Sequence, residues 1–164
     1  MPVLTAAILA AAFAFSQANA PAAAPAESLT LTRGQNSVVL SPADFRSLPH
    51  VHLKADNSHT HETENYSGVL LTTLLQKINA PIGKDLRGKA MTTYIVAIGS
   101  DGYAVVLSLA EVDPDFRDAQ VIVADAKDNQ PLGKNGPYQL IVPEDKRPAR
   151  WVHNLVSIRL KSGE

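Results

Sequence analysis

The sequence predicts a mixed α+β domain, mostly β, with short helices. Three observations predict it. Short apolar runs recur along the chain, separated by Gly, Pro, Asn and Asp turn signals. Several of these runs alternate in polarity and are rich in Val, Ile, Thr and Tyr, the two-residue period of a strand. One stretch, by contrast, places Leu70, Leu71, Leu74, Leu75 and Ile78 at helical spacing. No internal repeat interrupts this pattern.

Taken in order, residues 1–20, "MPVLTAAILAAAFAFSQANA", read as a signal peptide. An apolar run ends in Ala18-Asn19-Ala20, a small-x-small cleavage pattern. Residues 21–27 are an Ala/Pro linker, and one domain occupies 28–164. "SLTLTR" and "NSVVL" form a hairpin around Gly34-Gln35-Asn36. Ser41 caps a short helix that has Pro42 at its first position. "HVHLKA" alternates and reads as a strand. "YSGVLLTTLLQKI" reads as a helix opening at Gly68. "MTTYIVAIG" and "YAVVLSL" are strands joined by the turn "SDG". "AQVIVAD" and "YQLIVP" follow as strands, and "RWVHNLVSIRL" closes the sheet.

Composition narrows the chemistry. Fifteen basic residues face 16 acidic ones, and no basic block appears, so electrostatic nucleic-acid binding has no footing. The chain has no cysteine. That excludes disulfides, thiol nucleophiles and thiolate metal ligands alike. There is no Gly-x-Ser-x-Gly, no phosphate loop and no His-Glu-x-x-His. Asp113 and Asp115 flank Pro114 and read as a solvated loop.

Three clusters remain. His50 and His52 alternate, as do His59 and His61, with Asp56 and Glu62 beside them. If both segments are extended, each pair shares a face, and His50, His52, His59 and His61 are an alternative metal set for zinc or copper. The other reading is a polar loop and an exposed strand face. "GSDGY" is a tight turn that presents Ser100, Asp101 and Tyr103. "ARWVHN" carries Arg150, whose planar fork suits anionic or carbonyl acceptors, and Trp151, a stacking surface or a core anchor.

Four of these pieces, Tyr66–Leu71, Ser100–Tyr103, Pro131–Pro143 and Arg150–Ile158, resemble in order and spacing the molybdopterin-binding domain of the sulfite oxidase fold. The departures are as informative. The enzymes' molybdenum-ligating cysteine corresponds to Ala55, at or near the end of "VHLKAD". Gln139, Asn135 and Arg150 stand where that family has Arg, His and Lys. These departures fit better a small, exported, cysteine-less branch of the fold that binds pterins, which the chain resembles.

The resemblance implies a mostly-β, barrel-like mixed-sheet domain. It implies a non-covalent pterin as ligand, without molybdenum, and a non-catalytic role. Its ligand residues would be His59, His61, Glu62, Ser100, Asp101, Tyr103, Arg150 and Trp151, with Glu62 or Asp101 accepting from the amino and ring N–H edge. It further implies a periplasmic location and, as partner, the periplasmic part of a membrane-bound enzyme of cyclic di-GMP turnover. The alternatives are a molybdopterin-dependent oxidoreductase and a histidine-based metal module.

Overall fold

The computed structural model describes residues 27–118 and 120–163. The expected signal peptide, and the expected linker up to residue 26, lie outside the described residues. Strands β1 (Leu29–Arg33) and β2 (Asn36–Leu40) form the expected hairpin. Helix α1 (Pro42–Arg46) starts at Ser41 through a capping box. The Ser41 hydroxyl accepts from the Asp44 N–H, and the Asp44 carboxylate accepts from the Ser41 N–H at 3.0 Å. Phe45, the one buried residue of α1, anchors it to the core.

Strands β3 (His50–Asn57) and β4 (Glu62–Leu70) pair antiparallel along their length. Here the structure departs from the periodicity reading. The helix expected to open at Gly68 begins only at Leu71, as α2 (Leu71–Gln76). Residues 66–70 are strand because β4 is central, with ladders to β3 on one side and to β7 (Ile122–Lys127) on the other. Two flanking ladders outweigh one turn of helix propensity. The helical leucines still serve the core: Leu71, Leu74, Leu75 and Ile78 are fully buried.

Strands β5 (Thr93–Gly99) and β6 (Ala104–Ser108) flank the "SDG" turn, where Gly102 takes a left-handed φ of 86°. A four-residue helix, α3 (Leu109–Val112), follows β6; the expected strand "YAVVLSL" overlaps it only at Leu109, and the helix itself was not expected. After β7 come β8 (Gln130–Pro131) and β9 (Gln139–Ile141). The closing strand β10 (Leu155–Ser162) starts five residues later than Arg150, because Pro148–Arg150 is a 3-10 turn and Asn154 has a left-handed φ of 46°.

Two sheets result. One has the order β2-β1-β10-β5-β6, with β1 and β10 parallel and the other pairs antiparallel. The other runs β3-β4-β7-β8, with β9 also pairing β7. A single apolar core draws on both sheets, from Leu29, Leu31 and Ile158 to Val69, Ile122 and Leu140. Backbone bonds stitch the sheets along one side. The Leu140 N–H donates to the Val152 carbonyl, and the Leu155 N–H to the Tyr138 carbonyl. The architecture is α+β and mostly β, as the sequence predicts.

β4 and β7 approach closely at Gly68, next to a register shift between Ser67 and Gly68. A methyl group on Gly68 would lie 2.2 Å from the Val123 carbonyl oxygen, a backbone atom that cannot swing aside. Gly68→Ala should therefore cost about 3 kcal/mol or more, by forcing two paired strands apart. A denaturant midpoint within experimental error of wild type would refute this.

Candidate functional site

Strand alternation builds the floor of the site. Ala55 on β3 faces Glu64 on β4 in the register, and both are buried. Two residues on, Tyr66 points to the same face as Glu64 and pairs with Lys127 on β7. The Glu64 carboxylate gathers four donors. Oε2 accepts from the Tyr66 hydroxyl at 2.5 Å and the Asn57 amide at 3.0 Å. Oε1 accepts from the Lys127 ammonium at 3.0 Å and the Thr60 hydroxyl at 3.4 Å. Burial pushes the Glu64 carboxyl up, but the bonds from Tyr66, Asn57 and Lys127 outweigh it and hold the group below the usual carboxylate range. Burial and the adjacent Glu64 push the Tyr66 phenol far above its ordinary value, so it remains a donor.

Above this floor opens a pocket of about 550 Å³. Glu64 and Lys127 line it with Asn57 from the end of β3 and His59 and Thr60 from the β3–β4 turn. Asp101 and Tyr103 come from the β5–β6 turn, Lys134 and Asn135 from the loop after β8, and Pro148, Ala149, Trp151 and His153 from the segment before β10. The Trp151 indole N–H donates to the Val142 carbonyl, and its ring meets Tyr66 edge-on at 5.8 Å. Trp151 is thus a core anchor whose ring also forms part of the wall. Tyr103 is half exposed, and its hydroxyl donates to the Ala149 carbonyl at 2.6 Å, joining two walls. Burial, then the Lys134 charge, hold the His153 imidazole below its ordinary value, with Asp101 opposing and His59 adding to the shift.

Of the ligand residues expected from the sequence, the structure brings together His59, Asp101, Tyr103 and Trp151. It turns the other four away. His61 adopts a left-handed φ of 57° in the β3–β4 turn, so the segment is not extended and His61 does not share a face with His59. With Glu62 it lines a separate cleft, opposite Glu144, Asp145 and Lys146. The Ser100 N–H donates to the Asn154 carbonyl, and the residue does not line the pocket. Arg150 is engaged elsewhere: Nε and Nη2 bind Asp145 at 2.8 and 2.6 Å, and Nη1 binds Glu111 at 2.9 Å. Those partners push its guanidinium pKa above its ordinary value.

The four-histidine metal set does not converge. His50 and His52 open β3, while His59 and His61 follow its end, roughly 20 Å along the strand. His50 is itself engaged, with Nδ1 2.8 Å from the Leu48 carbonyl and Nε2 3.2 Å from Asp125. Among the described residues, no three His, Asp or Glu side chains meet as a metal site requires. Molybdenum finds no fit at residue 55 either. The methyl group of Ala55 cannot ligate, and the neighbouring Glu64 carboxylate already accepts four bonds.

Sequence reading missed Glu64 and Lys127 at the floor and Lys134 at the wall. The signal for Glu64 was present: reading residues 62–70 as a strand puts Glu64 and Tyr66 on one face, a charge on an inward-facing position.

An α+β domain of two sheets with a pocket at its edge is consistent with a sulfite-oxidase-like domain. Among solved structures, the chain is similar to the sulfane dehydrogenase SoxCD from Paracoccus pantotrophus, at a TM-score of 0.62 and 16% identity. The match covers 83% of this chain and 39% of that one, so the likeness is one of fold and spans well under half of the other chain. No family model and no curated protein matches the sequence.

Two outcomes check the site. Glu64→Ala strands four donors and should lower stability by about 2–4 kcal/mol in denaturant unfolding. Because folding lowers its pKa, the Glu64 contribution is present above the ordinary value of 4.5 and lost as pH falls through the folded value. In an NMR titration, His153 should lose its proton below the ordinary value of 6.5, and Lys134→Ala should move it back up. An unchanged midpoint in Lys134→Ala would remove Lys134 from the wall.

Proposed function

We propose that this protein binds a pterin in the periplasm without molybdenum, and reports the bound state to a transmembrane enzyme of cyclic di-GMP turnover. It is not itself a catalyst in this reading. The observation that carries it is the pocket over Glu64, the cross-strand neighbour of Ala55. Its volume lies within the range that holds a small heterocycle. Two aromatic rings, Tyr103 and Trp151, and two imidazoles flank it, and polar groups converge on it from five segments of the chain.

The resemblance to the molybdopterin-binding domain supports a pterin in particular, because Ala55 is the cross-strand neighbour of Glu64, which lines that pocket. A bound pterin supplies a flat ring with a carbonyl edge and an amino edge. The protein's residues offer a wall from Trp151, donors from Lys127, Lys134 and Asn135, and one exposed carboxylate, Asp101. The reporting step rests on the resemblance and on the position of the walls. The turn carrying Tyr103 and the segment carrying Ala149 form both the pocket rim and the outer surface. A ligand that favours their joined arrangement shifts the population that a partner meets, in proportion to its preference for that arrangement.

The test begins with the chain purified from an exported fraction. Heat-released supernatant should contain a blue-fluorescent pterin at close to one per protein, identified by mass spectrometry, and elemental analysis should find no stoichiometric molybdenum. A supernatant without pterin, from cells that synthesise pterins, or molybdenum at one per chain would overturn the proposal.

A further inference from the structure

The floor of the pocket is unbalanced in its hydrogen bonding. Glu64 accepts from Tyr66, Asn57, Lys127 and Thr60, so both carboxylate oxygens are committed and none of its acceptor capacity faces the pocket. Lys127 is in the opposite position. Its ammonium carries three N–H donors and donates to Glu64 Oε1; the side chain is 38% exposed and lines the pocket. The ion pair fixes where that ammonium sits, because Glu64 is itself pinned by the Tyr66 hydroxyl at 2.5 Å. At depth, then, the pocket offers donors. The other carboxylate in the lining, Asp101, is exposed on the rim, where its Oδ1 accepts from the Tyr103 N–H at 2.9 Å.

We infer that Lys127, held by Glu64, sets both the orientation and the specificity of the ligand: the ring carbonyl of the pterin accepts from Lys127 at the floor, and the amino edge is left toward Asp101 at the rim. This rests on the pterin reading above and adds a specificity residue to it. The physical reason is the asymmetry of unpaired groups. A donor edge pushed against the Lys127 ammonium leaves two donors facing each other in a half-enclosed site, whereas a carbonyl there satisfies both sides. The same ion pair explains why a flat acceptor suits a site with no metal. The fixed positive charge at the floor belongs to the protein.

A comparison of two ring systems tests this. The ligands are pterin and its diamino analogue, in which an amino group replaces the ring carbonyl. Titrated into the wild-type protein by calorimetry or fluorescence quenching, pterin should bind at least about tenfold more tightly than the analogue. In the double variant Glu64→Gln, Lys127→Met, which removes both charges together and so leaves no buried carboxylate unpaired, the preference should fall below about threefold. Lys127→Arg, which keeps the donor cation, should retain it. Equal or tighter binding of the diamino analogue to wild type overturns the inference while the pterin reading stands. So does a preference that survives in the double variant. Failure of both ligands to bind the wild-type protein overturns the pterin reading, and this inference with it. The wild-type comparison is decisive without any variant that might fold poorly.

Discussion

The pocket depends on one buried carboxylate. Glu64 is nearly inaccessible to solvent, and a carboxylate in that position persists only when its oxygens are satisfied. Its four donors come from β4 itself, from β7, from the end of β3 and from the turn between β3 and β4. Each of those segments is therefore placed relative to the others by a polar contact, in a chain without a disulfide to do so. The network also sets the electrostatics above it. Tyr66 is kept protonated, Lys127 is held in place, and the floor remains charged but paired. Such an arrangement is specific rather than strongly stabilising, since a buried ion pair gains little over a well-packed apolar alternative.

That network lies beside residue 55, the position that the resemblance matches to a metal-ligating cysteine. Register pairing brings Ala55 opposite Glu64, so the position the resemblance matches to a thiolate and the residue that carries the carboxylate are cross-strand neighbours. Side chains directly opposite in an antiparallel pair have their Cβ atoms about 5 Å apart. A ligating group at 55 and the Glu64–Lys127 pair would thus compete for one volume.

The fold was largely legible in the sequence, and the site in part. The β1–β2 hairpin, the Ser41 cap and the β5–β6 turn were each specified by local chemistry: turn residues, a capping box and two-residue alternation. What failed was long-range. Leu70, Leu71, Leu74 and Leu75 satisfy a helical period, but residues up to Leu70 belong to a strand because β7, more than fifty residues later, pairs with them. The misreading of that segment hid Glu64, whose inward direction follows only from strand geometry. His61 and Glu62 were grouped with His59 by proximity in sequence, and a single left-handed residue in the turn separates them. Arg150 has the right chemistry for a ligand, but Asp145 and Glu111 had claimed it, and no sequence spacing announces such a pair.

The walls are held differently from the floor, and that difference decides how the pocket opens. Arg150 ties the segment after β9 to α3 through Asp145 and Glu111. Arg117 pairs with Glu144 in the same segment. The Tyr103 hydroxyl holds the Ala149 carbonyl across the rim. Of these, Arg117 and Glu144 are exposed, and the Arg150 contacts are only partly buried. Exposed and partly exposed ion pairs contribute little each, typically under about 1 kcal/mol. The floor, by contrast, is locked into a three-stranded ladder of β3, β4 and β7. Local opening follows the weaker set of contacts, so the rim can part without disturbing Glu64. A molecule entering from that side meets a floor that is already arranged, and the only parts left to reorganise are the segments exposed at the surface.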